Sequence, residues 1–270
     1  MKFRDAYRLS HNALKENTMK TLVLSALLAL AVPALVAPAR AADDPIASAV
    51  ANPARTAADH ERDARDKPAE VMAFAGVKPG MTVIDLFSAG GYWTELLAGA
   101  VGPNGKVLAV NNVPYAQYAK EDIKKRFGDG HMANVEQHLV EASHMYLPPK
   151  GADLVVIFMS YHDVYWIDEK EGWPQIDTDG FLKSLKAAIK PGGKLLIVDH
   201  NAAAGTGKEI ASKLHRLNED WSKKSLTSAG FTFVKSYDGL RNPNDQLDKM
   251  VYDPAVKGKT DRYADLYTVK

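Results

Sequence analysis

A doubly wound α/β fold, with helices on both faces of an open and mostly parallel seven-stranded sheet, is what this 270-residue sequence predicts. Strand-like and helix-like stretches alternate from residue 82 onward. Asp153–Met159 is β-branched and apolar, as a central strand buried on both faces must be. Thr82–Leu97 reads as a short strand ending in an acid, a small-residue turn and a helix, the junction at which α/β proteins turn a helix N-terminus toward a ligand.

The predicted order begins with a loose Ala/Pro/Asp-rich lead-in over Ala42–Ala57 and a helical stretch Ala58–Ala75, interrupted near Lys67-Pro68 because Pro suits a first helical turn. The domain proper is expected over residues 67–270, with 42–66 leading into it. Strand Thr82–Leu86 precedes helix Tyr92–Val101, and strand Lys106–Val110 precedes helix Gln117–Phe127. Strands Val135–Glu141 and Asp153–Met159 follow, then helix Gly180–Ile189, a Lys190-Pro-Gly-Gly193 turn and strand Lys194–Asp199. One long helix is expected over Glu209–Ala229. Phe231–Tyr237 and Arg262–Val269, with no helical pattern between them, are expected to pair antiparallel.

Residues 1–41 read as a signal region. Leu22–Val36 is an uncharged run of 15 residues ending near Ala39-Arg40-Ala41, a small-residue cleavage pattern. It contains Pro33 and falls short of the roughly 20 apolar residues that span a bilayer. Export with cleavage near Ala41, to the periplasm or beyond, is therefore expected, with no stable membrane span in the mature chain; Met19 is an alternative start. Without residues 1–41 the chain keeps 34 − 6 = 28 basic and 33 − 2 = 31 acidic residues, a formal charge of −3. That balance argues against nucleic acid as the main partner. With no cysteine, disulfides, thiolate catalysis and Cys-ligated zinc are excluded. The eight histidines lack H-E-x-x-H spacing, and no metal is expected.

The pieces Val83-Ile-Asp-Leu-Phe-Ser-Ala-Gly-Gly91, Gly105-Lys-Val-Leu-Ala-Val-Asn111, Asp153-Leu-Val-Val156 and Leu185-Lys-Ala-Ala-Ile-Lys-Pro-Gly-Gly-Lys-Leu-Leu-Ile-Val-Asp199 resemble, in that order, the class I S-adenosylmethionine-dependent methyltransferases. The resemblance covers nearly all of residues 65–270 and implies a Rossmann-like fold. Together with the signal region, Tyr161-His-Asp163, Leu240-Arg-Asn-Pro-Asn-Asp245 and Gly258-Lys-Thr-Asp-Arg262 look like a group of predicted exported bacterial methyltransferases.

The resemblance implies that the backbone of Ser88, Ala89, Gly90 and Gly91 borders the cofactor's methionine moiety, with Asp85 fixing the loop or the amino group. The family's turn is acid-x-Gly-x-Gly-x-Gly; here Phe87 and Ala89 replace the first two glycines. A non-glycine residue held left-handed costs about 1–2 kcal/mol. Either the loop avoids that region at Phe87 or it takes another path, with Gly90 carrying the bend. Asn111 stands where the family places a ribose-binding acid, and Glu141-Ala142 where it reads adenine. The competing reading is an ordinary turn with Asp85 as a cap.

His162, paired with Asp163 after the fourth strand, is the candidate general base. Tyr161, His200 at the end of the fifth strand, and Arg241, in a loop that reads as a lid or anion-recognising segment, are candidate substrate contacts. Tyr92, Trp93, Tyr115, Tyr161, Tyr165, Trp166 and Trp173 are expected around the same mouth. The function expected is methyl transfer from S-adenosylmethionine to a small molecule. The alternatives are a non-catalytic exported binding protein on this fold and, less well matched, a nicotinamide-dependent dehydrogenase, which lacks its G-x-G-x-x-G. Acceptor and oligomeric state are left open.

Overall fold

The computed structural model describes residues 44–270 except His131. The signal region expected over residues 1–41, with the alternative start at Met19, lies outside the described residues. Seven strands make one sheet: β1 Thr82–Leu86, β2 Lys106–Asn111, β3 Val135–Leu139, β4 Ala152–Phe158, β5 Ile189–His200, β6 Thr232–Ser236 and β7 Arg262–Thr268. Their spatial order is β3-β2-β1-β4-β5-β7-β6. The pairs β1–β2, β1–β4, β2–β3 and β4–β5 are parallel, and β7 runs antiparallel between β5 and β6. The direction of winding reverses between β1 and β4, so the connections leaving their carboxyl ends diverge and open a crevice.

Side chains alternate across the strands. Val83, Val107, Val156 and Val198 pack on one face with Met72, Leu96 and Leu97 from α3 (Pro68–Ala75) and α4 (Tyr92–Val101). Ile84, Leu108, Ile157 and Ile197 pack on the other with Phe181 and Leu185 of α7 (Thr178–Ala188) and Leu226 of α9 (Glu219–Ser228).

Several elements depart from the sequence expectation for local reasons. The lead-in is helical: α1 (Pro45–Val50) is capped by Asp44, whose carboxylate accepts from the Ile46 N–H, and Ala49 packs where Gly99 leaves α4 bare. The next helix divides into α2 (Ala57–Asp66) and α3 because Lys67 precedes Pro68 and turns left-handed, φ 46°. The helix expected from Gln117 starts earlier, as α5 (Val113–Tyr118) capped by Asn112, and resumes after Ala119 as α6 (Lys120–Phe127). Ile189, expected to end a helix, instead starts β5, which bulges through the Pro-Gly-Gly segment before registering on β4.

The long helix expected over Glu209–Ala229 is broken. A short α8 (Ala211–Leu214) ends at His215, φ 52°; Leu217 bridges to Asn201, and Asn218 caps α9. The break is tertiary in origin. Arg216 is fully buried, and its guanidinium is held by Asp245 and by the carbonyls of Asn201 and Lys249. Among the described residues no helix is long and apolar enough to cross a membrane.

Asp66 ties the N-terminal helices to the sheet through Arg262 at the start of β7 (2.7 Å) and through Arg62 and Arg65. Burial works to raise its carboxyl, but Arg62, Arg262 and Arg65 outweigh it and hold it at about 2, below the usual 3.8. This depressed acid contributes stability that is present above about pH 4 and is lost as pH falls toward 2. The drop of 3.8 − 2 = 1.8 units corresponds to about 2 kcal/mol. In urea titrations between pH 5 and 2, wild type is expected to lose about that much more stability than Asp66→Asn.

Candidate active site

The turn between β1 and α4 keeps the backbone path of a glycine loop although two of its glycines are replaced. Phe87 (φ 57°), Ala89 (φ 47°) and Gly91 (φ 83°) are all left-handed, at every second residue after Asp85, whereas Gly90 is not. Gly90 therefore does not carry the bend; its small size instead admits α6, since an added Cβ would meet Asp122. The strain is held by specific contacts. Asn111 accepts from the Ala89 N–H (2.9 Å) and donates to the Ala89 carbonyl (3.2 Å). The Phe87 ring turns inward and stacks between Tyr115 (5.0 Å) and Phe181 (5.9 Å), leaving the crevice open.

That crevice has a volume of about 790 Å³. Its floor is Asp85 and the turn from Phe87 to Trp93. Asp59, Arg62 and Asp66 of α2 form one wall, Asp122 and Arg126 of α6 a second, and Phe158, Met159, Asp163, His200 and Tyr252 the far end. The sequence did not show that α2 and α6 would belong here. Arg126 joins them: it donates to the Gly90 carbonyl (2.8 Å) and pairs with Asp59 and Glu95.

The turn's main chain is less bare than expected. The Ser88 N–H is given to Val110, that of Ala89 to Asn111 and that of Gly91 to Ser88. What the turn presents instead is side-chain polarity and a helix end. Ser88 Oγ and Trp93 Nε1 are buried, have no partner among the described residues, and belong to residues of the crevice wall. α4 begins there, with its positive end on the crevice. Asp85, bonded to Thr94 Oγ1 (2.6 Å), is pushed up to about 7 by burial, against the pull of that hydrogen bond and of Arg62. A buried acid poised to ionise, a helix N-terminus and an apolar aromatic wall fit a ligand with a cationic group, a carboxylate and a flat ring; the residues present fit S-adenosylmethionine.

At the far end, His162 is almost fully buried and is not part of the crevice wall. Its Nδ1 lies 2.7 Å from Asp199 Oδ1, and its own N–H donates to Asp199 Oδ2 (2.7 Å). Burial alone would lower it, but Asp163 and Asp199 push it up to about 10. Already paired with two carboxylates and set off the crevice wall, it is not placed as the general base expected of it toward a ligand in the crevice. Asp163 does reach the crevice. Burial would raise its carboxyl, but His162, His215 and the Tyr115 hydroxyl bonded to it hold it well below the usual range. His200 also reaches the crevice, with Nδ1 2.7 Å from Thr260 Oγ1. Burial and the nearby His162 charge keep it neutral.

Other expected contacts fall elsewhere. Tyr161 is fully buried beneath α9, its hydroxyl near Tyr165 and Ser225, and cannot touch substrate. Arg241 spends its guanidinium on Glu219 and Asp261 and is no anion receptor. Asn111, expected at the ribose, spends its side chain on Ala89 and does not line the crevice. Glu141, exposed, caps its own short turn, and Ala142 is buried; neither lines the crevice. Of the expected aromatics, Tyr92, Trp93 and Tyr115 line it, whereas Tyr165, Trp166 and Trp173 do not.

A parallel core with an antiparallel β7 inserted before β6, and a crevice above a left-handed turn at the end of β1, define a Rossmann-like fold of methyltransferase type. The methyltransferase-domain family matches residues 77–252, and the chain belongs to it. Among curated relatives, a ubiquinone/menaquinone biosynthesis C-methyltransferase of Shewanella oneidensis is 27% identical over 165 residues, 61% of this chain and 58% of that enzyme. An arsenite methyltransferase of Halobacterium salinarum is 32% identical over 47% of this chain and 29% of its own length. The chain thus spans less than two thirds of the length of these relatives. The fold is shared with a phosphoethanolamine N-methyltransferase of Haemonchus contortus solved with S-adenosyl-L-methionine (TM-score 0.54, 17% identity, 76% of this chain and 52% of that one). It is shared too with a methyltransferase from Mesorhizobium loti (TM-score 0.53, 12% identity, 77% and 99%).

Ala89→Gly is expected to stabilise the protein by about 1 kcal/mol in urea denaturation, because it removes left-handed strain and little packing. Asp85 carries the opposite linkage to Asp66. Its raised acid costs nothing below pH 4 and destabilises progressively as pH rises to about 7. The span 7 − 3.8 = 3.2 units sets an upper bound of about 4 kcal/mol. Asp85→Asn is expected to be more stable than wild type at pH 8, with the difference vanishing near pH 4.

Proposed function

We propose that this protein is an S-adenosylmethionine-dependent methyltransferase acting on a small molecule that enters the crevice. The observation that carries this reading is the left-handed backbone at Phe87, Ala89 and Gly91 above buried Asp85: the loop keeps, at a cost in strain, the path that the family's glycines allow. Strain of this kind persists where function needs it. Family membership and the fold shared with methyltransferases support the same reading.

Bound S-adenosylmethionine supplies an activated methyl group. Asp85 would hold its cationic moiety, the start of α4 its carboxylate, and Ser88 Oγ and Trp93 Nε1 would gain the partners they lack. α2 and α6 would cover the ligand and exclude water. The far end, with Phe158, Met159, Tyr252, His200 and Asp163, is where an acceptor would lie. Neutral His200 is the imidazole placed to accept or orient a proton there, with its Nδ1 shared with Thr260. Alignment and desolvation, more than strong base catalysis, are what this site offers.

The run Leu22–Val36 with its small-residue cleavage pattern supports export, and with it the likeness to exported bacterial methyltransferases. Residues 1–45 fused to a reporter active only outside the cytoplasm should give signal; a silent fusion removes export from the reading. One observation favours binding without turnover: Asn111, at the ribose-acid position, is consumed by Ala89. Calorimetric titration of the chain with S-adenosylmethionine and S-adenosylhomocysteine tests the main reading. One site is expected, weakened at least tenfold by Asp85→Asn and little changed by His162→Gln. Absence of heat at millimolar ligand would overturn it. Binding without methyl transfer across an acceptor panel would select the binding protein.

A further inference from the structure

We propose that His162, Asp163 and His215 form a binding site for one divalent transition-metal ion of the zinc type at the acceptor end of the crevice. Among the described residues they are the one trio of His, Cys, Asp or Glu whose ligand atoms converge, all within 4.8 Å of one another. His162 Nε2 lies 3.2 Å and His215 Nδ1 3.4 Å from the same oxygen, Asp163 Oδ1. All three atoms are buried, and none is aligned for a hydrogen bond with any other group. Three buried polar atoms that face one another at ion-pair distance without one aligned hydrogen bond are incompletely satisfied unless something sits among them. Tetrahedral metal–ligand bonds of about 2.1 Å place ligand atoms about 3.4 Å apart; the two separations from Asp163 Oδ1 already match this, and the two imidazoles would have to close on each other.

The surroundings are those of a metal site. Asp199 holds His162 Nδ1 at 2.7 Å, which fixes the ring; a metal ion would displace the Nε2 proton that Asp163 favours and take that nitrogen's lone pair. The other oxygen of Asp163 accepts from the Tyr115 hydroxyl. Trp166 and Tyr252 pack against the His215 ring at 4.8 Å and 5.3 Å. The nearest guanidinium in sequence, Arg216, is turned to Asp245. Two imidazoles and a carboxylate, with no sulfur, suit borderline cations such as Zn²⁺, Co²⁺, Ni²⁺ or Fe²⁺. Asp163 belongs to the crevice wall. A three-ligand cation there has a coordination position left for water or an acceptor's oxygen.

The sequence alone held no sign of this site, because His215 follows its partners by about fifty positions and reaches them through the break between α8 and α9. The proposal does not depend on methyl transfer and is tested without it. The full chain, stripped with a chelator and carrying no polyhistidine tag, is titrated with Co²⁺ and with Zn²⁺. One equivalent should bind, with the visible absorption of a low-symmetry nitrogen–oxygen Co²⁺ site and a raised Tm. His215→Ala and Asp163→Asn should each weaken binding at least 100-fold, and Asp199→Asn about 10–100-fold. His144→Ala, at an exposed position, should change nothing. Failure of wild type to bind one equivalent overturns the site. So does binding undiminished in the isosteric Asp163→Asn, which decides the matter should His215→Ala not fold.

Discussion

The side-chain amide of Asn111, bonded to both the N–H and the carbonyl of Ala89, is the constraint on which the functional end of this protein depends. It fastens the end of β2 to the turn leaving β1 and holds that turn in a conformation its residues would not choose. The Phe87 ring, stacked on Tyr115 and Phe181, supplies the second anchor. Through Tyr115, whose hydroxyl reaches Asp163, the same packing extends to the mouth of β4. The turn and the far end of the crevice thus share one line of packing contacts. Asn111 acts as a structural clamp, which suits a turn that carries Phe87 and Ala89 at left-handed positions.

Charge is distributed along the crevice in a matching way. At the turn, Asp85 is buried with no full partner, so a cationic ligand would relieve its desolvation cost. At the far end the balance is reversed. His162 is enclosed by Asp163 and Asp199, which push its pKa up, while its charge helps push that of His200 down. Between them α2 and α6 meet beside the turn through Arg126, which pairs with Asp59 and Glu95.

The central strands β1, β2, β4 and β5 were legible because burial on both sheet faces demands runs of apolar, β-branched residues that little else in the chain resembles. β1 and α4 came out at the bounds expected, and β6 and β7 pair antiparallel as their spacing required. Helix ends were less legible. Lys67 and Ile189 leave their helices for reasons set by a neighbouring proline and by pairing with β4, and the start of α5 is set by the cap at Asn112. Of the residues expected at the site, Asp85, the turn, Asp163 and His200 line the crevice, whereas His162 and Tyr161 do not, since adjacency to Asp163 says nothing about which way a side chain points.

By itself the sequence determined the order of strands and helices, the acid-then-small-residue turn after β1, and the edge of the sheet on which chemistry would collect. These are short-range matters, governed by propensity and by periodicity. Only the tertiary structure decided that Phe87 and Ala89 would accept left-handed backbone, that Asn111 would serve the loop, and that α2 and α6 would wall the crevice. It also brought His215 to Asp163, by breaking a helix so that Arg216 could reach Asp245. Each of these rests on a partner tens of residues away, and the energy of such a contact is not written in either segment alone.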